Sequence, residues 1–289
     1  MTLQPEIKAF FDQDTSTLSY VAHDPETLSA VIIDSVLDYD QNSACTSTTS
    51  ADRILTYVSL QKLNVEWILE THIHADHLTA APYLKAALGA RIGIGARVRE
   101  VQKSFKTIFN SDASFATDGS QFDHLFEDGE TFPIGSIEGR TLHTPGHTPA
   151  CLTYLIGSAA FIGDTLFAPD YGTARCDFPG GDAKQLYRSI QKFFQLPDET
   201  RLFLCHDYQL KGRELIWETP LADQKLHNIH IHSGVSEAEF IALRTARDQT
   251  LQVPTLILPA VQINMRGGHF PPAEENDISY LKIPMNTFQ

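Results

Sequence analysis

Between residues 72 and 77 the chain reads His72-Ile73-His74-Ala75-Asp76-His77, four metal-capable side chains in six positions. They follow the apolar run Val65 to Thr71 directly, which reads as a short buried strand opening into a loop. Such a loop can turn several side chains toward one point. Imidazole and carboxylate together suit zinc, iron and manganese alike. An isolated histidine pair is ordinary surface or core decoration, and only the full four-residue pattern outweighs that reading.

The same ending recurs downstream. Strands are expected at Ile137 to His143, Ala159 to Gly163 and Arg201 to Cys205, each stopping just before a His or Asp. The residues at those ends are Thr144-Pro145-Gly146-His147-Thr148, Gly163-Asp164 and Cys205-His206-Asp207. Placing reactive groups at the ends of several buried strands gathers them at one edge of the sheets, where loops reach solvent.

The rest of the chain supplies the frame. Thr17 to Ala22 and Ser29 to Asp34 read as a hairpin around the Pro-containing turn His23 to Thr27. Ile54, Leu55, Val58 and Leu60 give an apolar stripe to a helix over about Ser50 to Leu63. A second helix is expected from the ligand loop through about Leu88, stopped by Gly89. Leu186, Ile190, Phe193 and Phe194 recur at helical spacing between Asp182 and Phe194, with Pro197 beyond. Ser236 and Glu239 form a capping box opening a helix to about Gln249. No repeat or linker divides the chain, so residues 1–235 read as one domain. Residues 236–289 read as a helix and an extended tail packed on it, with Leu256-Ile257-Leu258 and Pro259, Pro271 and Pro272 in the tail.

Charge narrows the partners. Lys and Arg number 22 against 36 Asp and Glu, and the net charge of −14 repels a phosphate backbone, which excludes nucleic acid as the expected partner. An anionic substrate would need a local Arg or Lys to hold it. The four cysteines (Cys45, Cys151, Cys176 and Cys205) form no CxxC pair, so reduced thiols are expected rather than a disulfide scaffold or zinc ribbon. Cys176 and Cys205 read as small buried thiols, and His227, His230 and His232 as structural or exposed. The segment MTLQPEIKAFFDQDTST lacks the features of a signal peptide or presequence, and no apolar run nears the ~18 residues that span a bilayer. A soluble, cytoplasmic protein without a membrane partner is expected.

These motifs resemble the metallo-β-lactamase superfamily, whose signature is THxHxDH followed by GH, GD and a final His. Here they are Thr71 to His77, Gly146-His147, Gly163-Asp164 and His206, and the resemblance covers roughly residues 15 to 235. It implies an α/β fold of the α+β kind, the αββα sandwich, with the site at one edge. Two branches acting on glutathione derivatives are most similar. The glyoxalase II branch implies a binuclear thioester hydrolase: His72, His74 and His147 on one metal, Asp76, His77 and His206 on the other, Asp164 bridging. The persulfide dioxygenase branch implies one Fe(II) per subunit on His72, His147 and Asp164, with His74, Asp76, His77 and His206 orienting ligands or water.

Several segments resemble the dioxygenase branch. They are Thr71 to Thr79 in the form THxHADHxT, Arg175-Cys176-Asp177-Phe178, and His206-Asp207-Tyr208. Trp217-Glu218-Thr219 and Asn264-Met265-Arg266 resemble a bacterial group of such proteins rather than the helical substrate domain of glyoxalase II. The resemblance implies oxidation of glutathione persulfide by O2 to sulfite and glutathione, in sulfide detoxification, with a functional link to a rhodanese-type sulfurtransferase. Two histidines and a carboxylate leave positions open for sulfur and dioxygen. In the hydrolase, zinc would instead generate hydroxide and polarise a carbonyl. Arg175 and Tyr208 are the expected substrate-binding residues, with Arg266 next, against the plainer reading of a surface salt bridge and a packing tyrosine. A non-catalytic metal-binding scaffold would have lost ligands, and none is missing. The apolar C-terminal segment would suit a homodimer contact.

Overall fold

The computed structural model describes residues 4–287; residues 1–3 and 288–289, the ends of the N-terminal segment and of the tail, lie outside it. The first half of the chain runs β1 (Glu6–Asp12), β2 (Thr17–His23), β3 (Ser29–Ile33), β4 (Val36–Asp40), β5 (Cys45–Ser47) and α1 (Thr49–Gln61). It continues through β6 (Asn64–Glu70), β7 (Leu78–Thr79), α2 (Ala81–Leu88), β8 (Arg91–Gly95), α3 (Val98–Ile108) and β9 (His124–Phe126). The second half holds β10 (Thr131–Ile134), β11 (Ile137–His143), β12 (Leu152–Ile156), β13 (Ala159–Phe161), α4 (Ala183–Phe193) and β14 (Arg201–Phe203). It closes with β15 (Glu218–Pro220), α5 (Leu221–His227), α6 (Glu237–Asp248) and α7 (Ile257–Asn264).

Two six-stranded sheets result, in the orders β1-β2-β3-β6-β8-β9 and β10-β11-β12-β13-β14-β15, with a small β5-β4-β7 sheet beside them. The strands β3, β6 and β8 pair in parallel, and β3 is buried on both faces, which is why Ser29 to Ile33 carries no polar alternation. One core lies between the sheets, where Leu18, Tyr20 and Ile33 meet Leu152, Tyr154 and Phe161. A second lies between the first sheet and the helices, where Ile32, Ile68 and Ile92 meet Ile54 of α1, Leu84 of α2 and Phe105 of α3. On the outer side of the second sheet, Leu186 and Ile190 of α4 and Phe240 of α6 join the inter-sheet core. This is the αββα arrangement. No helix among the described residues is long and apolar enough to cross a membrane.

Three elements differ from the sequence reading. Residues 6–12 form an edge strand antiparallel to β2, where only an N-terminal segment was expected. The helix after the ligand loop begins later, at Ala81, because residues 72–77 stay open, β7 intervenes and Pro82 sits at the helix start. Gly89 ends it in the left-handed region, at φ 71°. The tail contains a helix, α7, which accommodates Pro259 in its first turn, where no intrahelical donor is required. Elsewhere the expected capping box at Ser236 and Glu239 is complete, and Asp182 caps α4 by accepting from the backbone N–H of Lys184 and Gln185.

Candidate metal centre

The strand ends meet at one edge, as the repeated motif suggested. His72, His147 and Asp164 place their ligand atoms within 4.8 Å of one another, and His74, Asp76, His77 and His206 form a second such group beside them. The two sheets are joined here by the backbone N–H of Leu18 donating to the Cys205 carbonyl at 2.8 Å, next to an isolated bridge between Thr17 and His206.

Two glycines make the convergence feasible. A Cβ on Gly146 would lie 2.4 Å from the backbone of Leu186, so only glycine lets α4 press against the loop that carries His147. A Cβ on Gly163, at φ 50°, would lie 2.6 Å from Thr71 Oγ1, so the loop carrying Asp164 could not close on the one carrying His72.

Hydrogen bonds fix the imidazoles. Thr71 donates through N–H and Oγ1–H to Asp34 Oδ1 and Oδ2, both at 2.8 Å, leaving Thr71 Oγ1 to accept from His72 Nδ1 at 3.0 Å. The proton on Nδ1 leaves the lone pair of His72 at Nε2. His147 Nδ1 donates to the Arg175 carbonyl at 2.8 Å, with the same result. His74 is turned the other way: Nε2 donates to Asp34 Oδ1 at 3.0 Å, so its lone pair is on Nδ1. Burial, followed by the neighbouring imidazoles, holds His72 and His74 well below the ordinary histidine range, so both are neutral.

His72 Nε2, His74 Nδ1, His77 Nε2 and Asp164 Oδ1 are buried without a hydrogen-bond partner. Orphaned polar atoms of this kind are expensive unless something binds them, and these, divided between the two adjoining groups, fit the donor set of a divalent-metal centre. Asp76 behaves differently. Its Oδ2 lies 3.0 Å from His206 Nε2 and its Oδ1 3.6 Å from His77 Nδ1. Burial would raise the Asp76 carboxyl, but the His206 charge and hydrogen bond outweigh it and hold it well below the usual range. Burial would lower His206, but Asp76 and Asp164 push it up to about 10.

The centre opens into a cleft of about 880 Å³ lined by Asp76, His147, Asp164, Phe167, Phe178 and Tyr208 among others. Tyr208 is 41% exposed there and stacks on Tyr171, with ring centroids 4.5 Å apart. Arg175 also lines the cleft, yet its guanidinium is already engaged. It forms a two-point pair with Asp177 at 2.6 and 2.7 Å and donates through Nη1 to the Gln252 carbonyl at 2.6 Å. The open fork expected of a substrate anchor is therefore absent from Arg175, and the plainer salt-bridge reading describes its side chain. Its backbone carbonyl, which orients His147, is the part that reaches the centre. Arg266 pairs with Asp112 at 2.7 Å and does not line the cleft.

Sequence reading gave no role at the centre to three contributors. Asp34 ends β3 just as the ligands end their strands, so the same rule could have found it. Glu70 lies in the strand β6, 3.6 Å from His74 Nε2, and burial together with the Asp34 charge raises its carboxyl well above the ordinary value. Asn264, from the far end of the chain, donates through Nδ2 to the carbonyls of His74 and His77 at 2.9 and 2.8 Å, and its Oδ1 accepts from the Thr79 N–H at 2.9 Å.

A family model described as the Metallo-beta-lactamase superfamily matches residues 15–206. The chain belongs to the metallo-β-lactamase superfamily. It is 52% identical over 290 residues, covering 97% of this chain and 99% of the relative, to a protein of Burkholderia pseudomallei (strain 1710b) named a probable metallo-hydrolase. The mitochondrial persulfide dioxygenase ETHE1 of Homo sapiens is 30% identical over 205 residues, 70% of this chain and 68% of that one. Among solved structures, ETHE1 from Myxococcus xanthus superposes with a TM-score of 0.73 at 32% identity, covering 91% of this chain and all of that one. The superfamily member described here is thus a metal-binding enzyme, and α6 and α7 lie outside the matched segment.

Proposed function

We propose that this enzyme is a persulfide dioxygenase using one ferrous iron held by His72 Nε2, His147 Nε2 and Asp164. The observation that carries the reading is the two-histidine, one-carboxylate set of His72, His147 and Asp164, whose ligand atoms lie within 4.8 Å of one another, while Asp76 sits nearer to His206 Nε2, at 3.0 Å, than Asp164 does, at 3.4 Å. That set is the donor arrangement of non-haem iron oxygenases. The likeness to ETHE1 in sequence and in fold supports the same assignment. Iron held there would supply the redox chemistry for adding dioxygen to the terminal sulfur. Glutathione persulfide, dioxygen and water then give glutathione, sulfite and two protons. Asp34 and the Arg175 carbonyl keep the imidazoles in the required tautomers. Phe178, with its ring centroid 5.1 Å from that of His147, and Phe167, 6.0 Å from His206, wall the centre from bulk water.

A second reading, a binuclear thioester hydrolase working with zinc, is favoured by the group His74, Asp76, His77 and His206 and by the name of the Burkholderia relative. Metal-free enzyme reconstituted separately with ferrous iron and zinc, then given glutathione persulfide or a glutathione thioester in an oxygen electrode, separates the two. The expected result is one dioxygen consumed per persulfide by the iron form, with negligible thioester cleavage. Rapid thioester cleavage by a form binding two zinc ions, with no persulfide-dependent oxygen uptake, would establish the hydrolase instead.

A further inference from the structure

Three arginines line the cleft, and they are not equivalent. Arg175 is closed off by Asp177 and the Gln252 carbonyl. Arg244, only 1% exposed, is closed off as well: its Nε and Nη2 lie 3.0 and 2.8 Å from Asp248 Oδ1, and its Nη1 donates to the Thr173 carbonyl. Arg247 follows one turn later on α6 and makes no side-chain ion pair or hydrogen bond among the described residues. Its guanidinium carbon sits 5.8 Å from the centroid of the Tyr171 ring. Burial, then the charges of Arg244 and Arg247, lower the neighbouring His230 to about 4.

We propose that Arg247 forms a carboxylate-binding subsite that holds the thiol carrier of the substrate. The proposal rests on the persulfide reading above and names the part of the carrier that is recognised. A protein with this overall charge repels anions at long range, so an anionic carrier requires a local cation whose donors are free, and Arg247 is the cleft arginine that has them.

The path from this subsite to the metal centre is aromatic. Tyr171 lies under Arg247, Tyr208 stacks on Tyr171 with centroids 4.5 Å apart, and His206 stacks on Tyr208 at 5.9 Å. Those steps suit a carrier of a few residues, at roughly 3.3–3.6 Å per extended residue, laid along the rings with its sulfur at the centre and a carboxylate on α6.

The test is a binding measurement that needs no turnover. Zinc-loaded enzyme is titrated calorimetrically with reduced glutathione and with glutathione diethyl ester, in which both carboxylates are masked, for the wild type, Arg247→Gln and Arg175→Lys. The wild type is expected to bind the free acid about tenfold or more tightly than the ester, as loss of a charge-assisted pair implies. Arg247→Gln is expected to remove that preference by weakening the acid alone, and Arg175→Lys to keep it. Equal binding of acid and ester by the wild type, or loss of the preference in Arg175→Lys but not in Arg247→Gln, overturns the subsite while leaving the dioxygenase reading standing. Absence of glutathione binding overturns the subsite as well, and oxygen uptake then judges the reaction independently.

Discussion

His72, His74 and His147 each have one ring nitrogen committed to the protein and one turned inward, and the committing partners are what the sequence conceals. The pattern His72-Ile73-His74-Ala75-Asp76-His77 announces the ligands, but nothing in it says that Asp34 Oδ1 takes the proton of His74 or that the Arg175 carbonyl takes that of His147. Both contacts join residues far apart in sequence. His230 shows the same commitment in a residue with no place at the centre. Its Nδ1 accepts from the Thr173 N–H at 3.0 Å, and burial, then the charges of Arg244 and Arg247, lower it to about 4. An unfolded histidine titrates near 6.5, so between those values the unfolded chain binds a proton that the folded chain refuses, and stability contributed by neutral His230 is lost as pH falls. The urea midpoint of the wild type should therefore drop more steeply from pH 6.5 to pH 4 than that of His230→Asn, which keeps an acceptor near Nδ1 but cannot titrate. Parallel profiles for the two proteins would show that His230 is protonated in the folded state.

At the scale of elements, the strands and helices with clean periodicity were legible, and those whose form depends on distant partners were not. Ile137–His143 and the Ser236 capping box could be read directly because local spacing decides them. The segment of α7 reads as broken because Pro259 interrupts it, yet its helix buries Ile257, Val261 and Met265 in the outer core. This packing places Asn264 over the ligand loop, where it satisfies the carbonyls of His74 and His77 and the N–H of Thr79. Asn264→Leu has similar volume and leaves these three buried backbone groups unpaired. At about 1–3 kcal/mol for each such group, a loss of several kcal/mol is expected, with the ligand loop loosened first. Chemical denaturation should show that loss, and competition with a chelator should show faster metal release than from the wild type. A variant equal to the wild type in both would mean that α7 merely covers the loop.

The whole molecule is two sheets whose far edges are held by the inter-sheet core and whose near edge is held by the centre. Asp34 and His72 follow strands of the first sheet, β3 and β6, whereas His147, Asp164 and His206 follow β11, β13 and β14 of the second. A cation drawing on both sets ties the sheets together at this edge, and binding to the folded state alone stabilises it in proportion to RT ln(1 + [M]/Kd). This coupling between sheets was foreshadowed by motifs ending strands throughout the chain, although the pairing order that brings them to one edge is a long-range property that spacing does not encode. Removing the metal should therefore act unevenly. Imidazole nitrogens and the Asp164 carboxylate become buried and unpaired, so loops at 71–77, 144–148, 163–165 and 205–208 should lose amide-exchange protection. The strands β2 and β12, anchored by Leu18, Tyr20, Leu152 and Tyr154 in the inter-sheet core, should keep theirs. Hydrogen exchange followed by mass spectrometry on loaded and chelator-treated protein reads both regions at once. Uniform loss of protection across the sheets would show that the metal stabilises the fold globally, and an unchanged pattern would mean that the protein's own hydrogen bonds already lock the near edge.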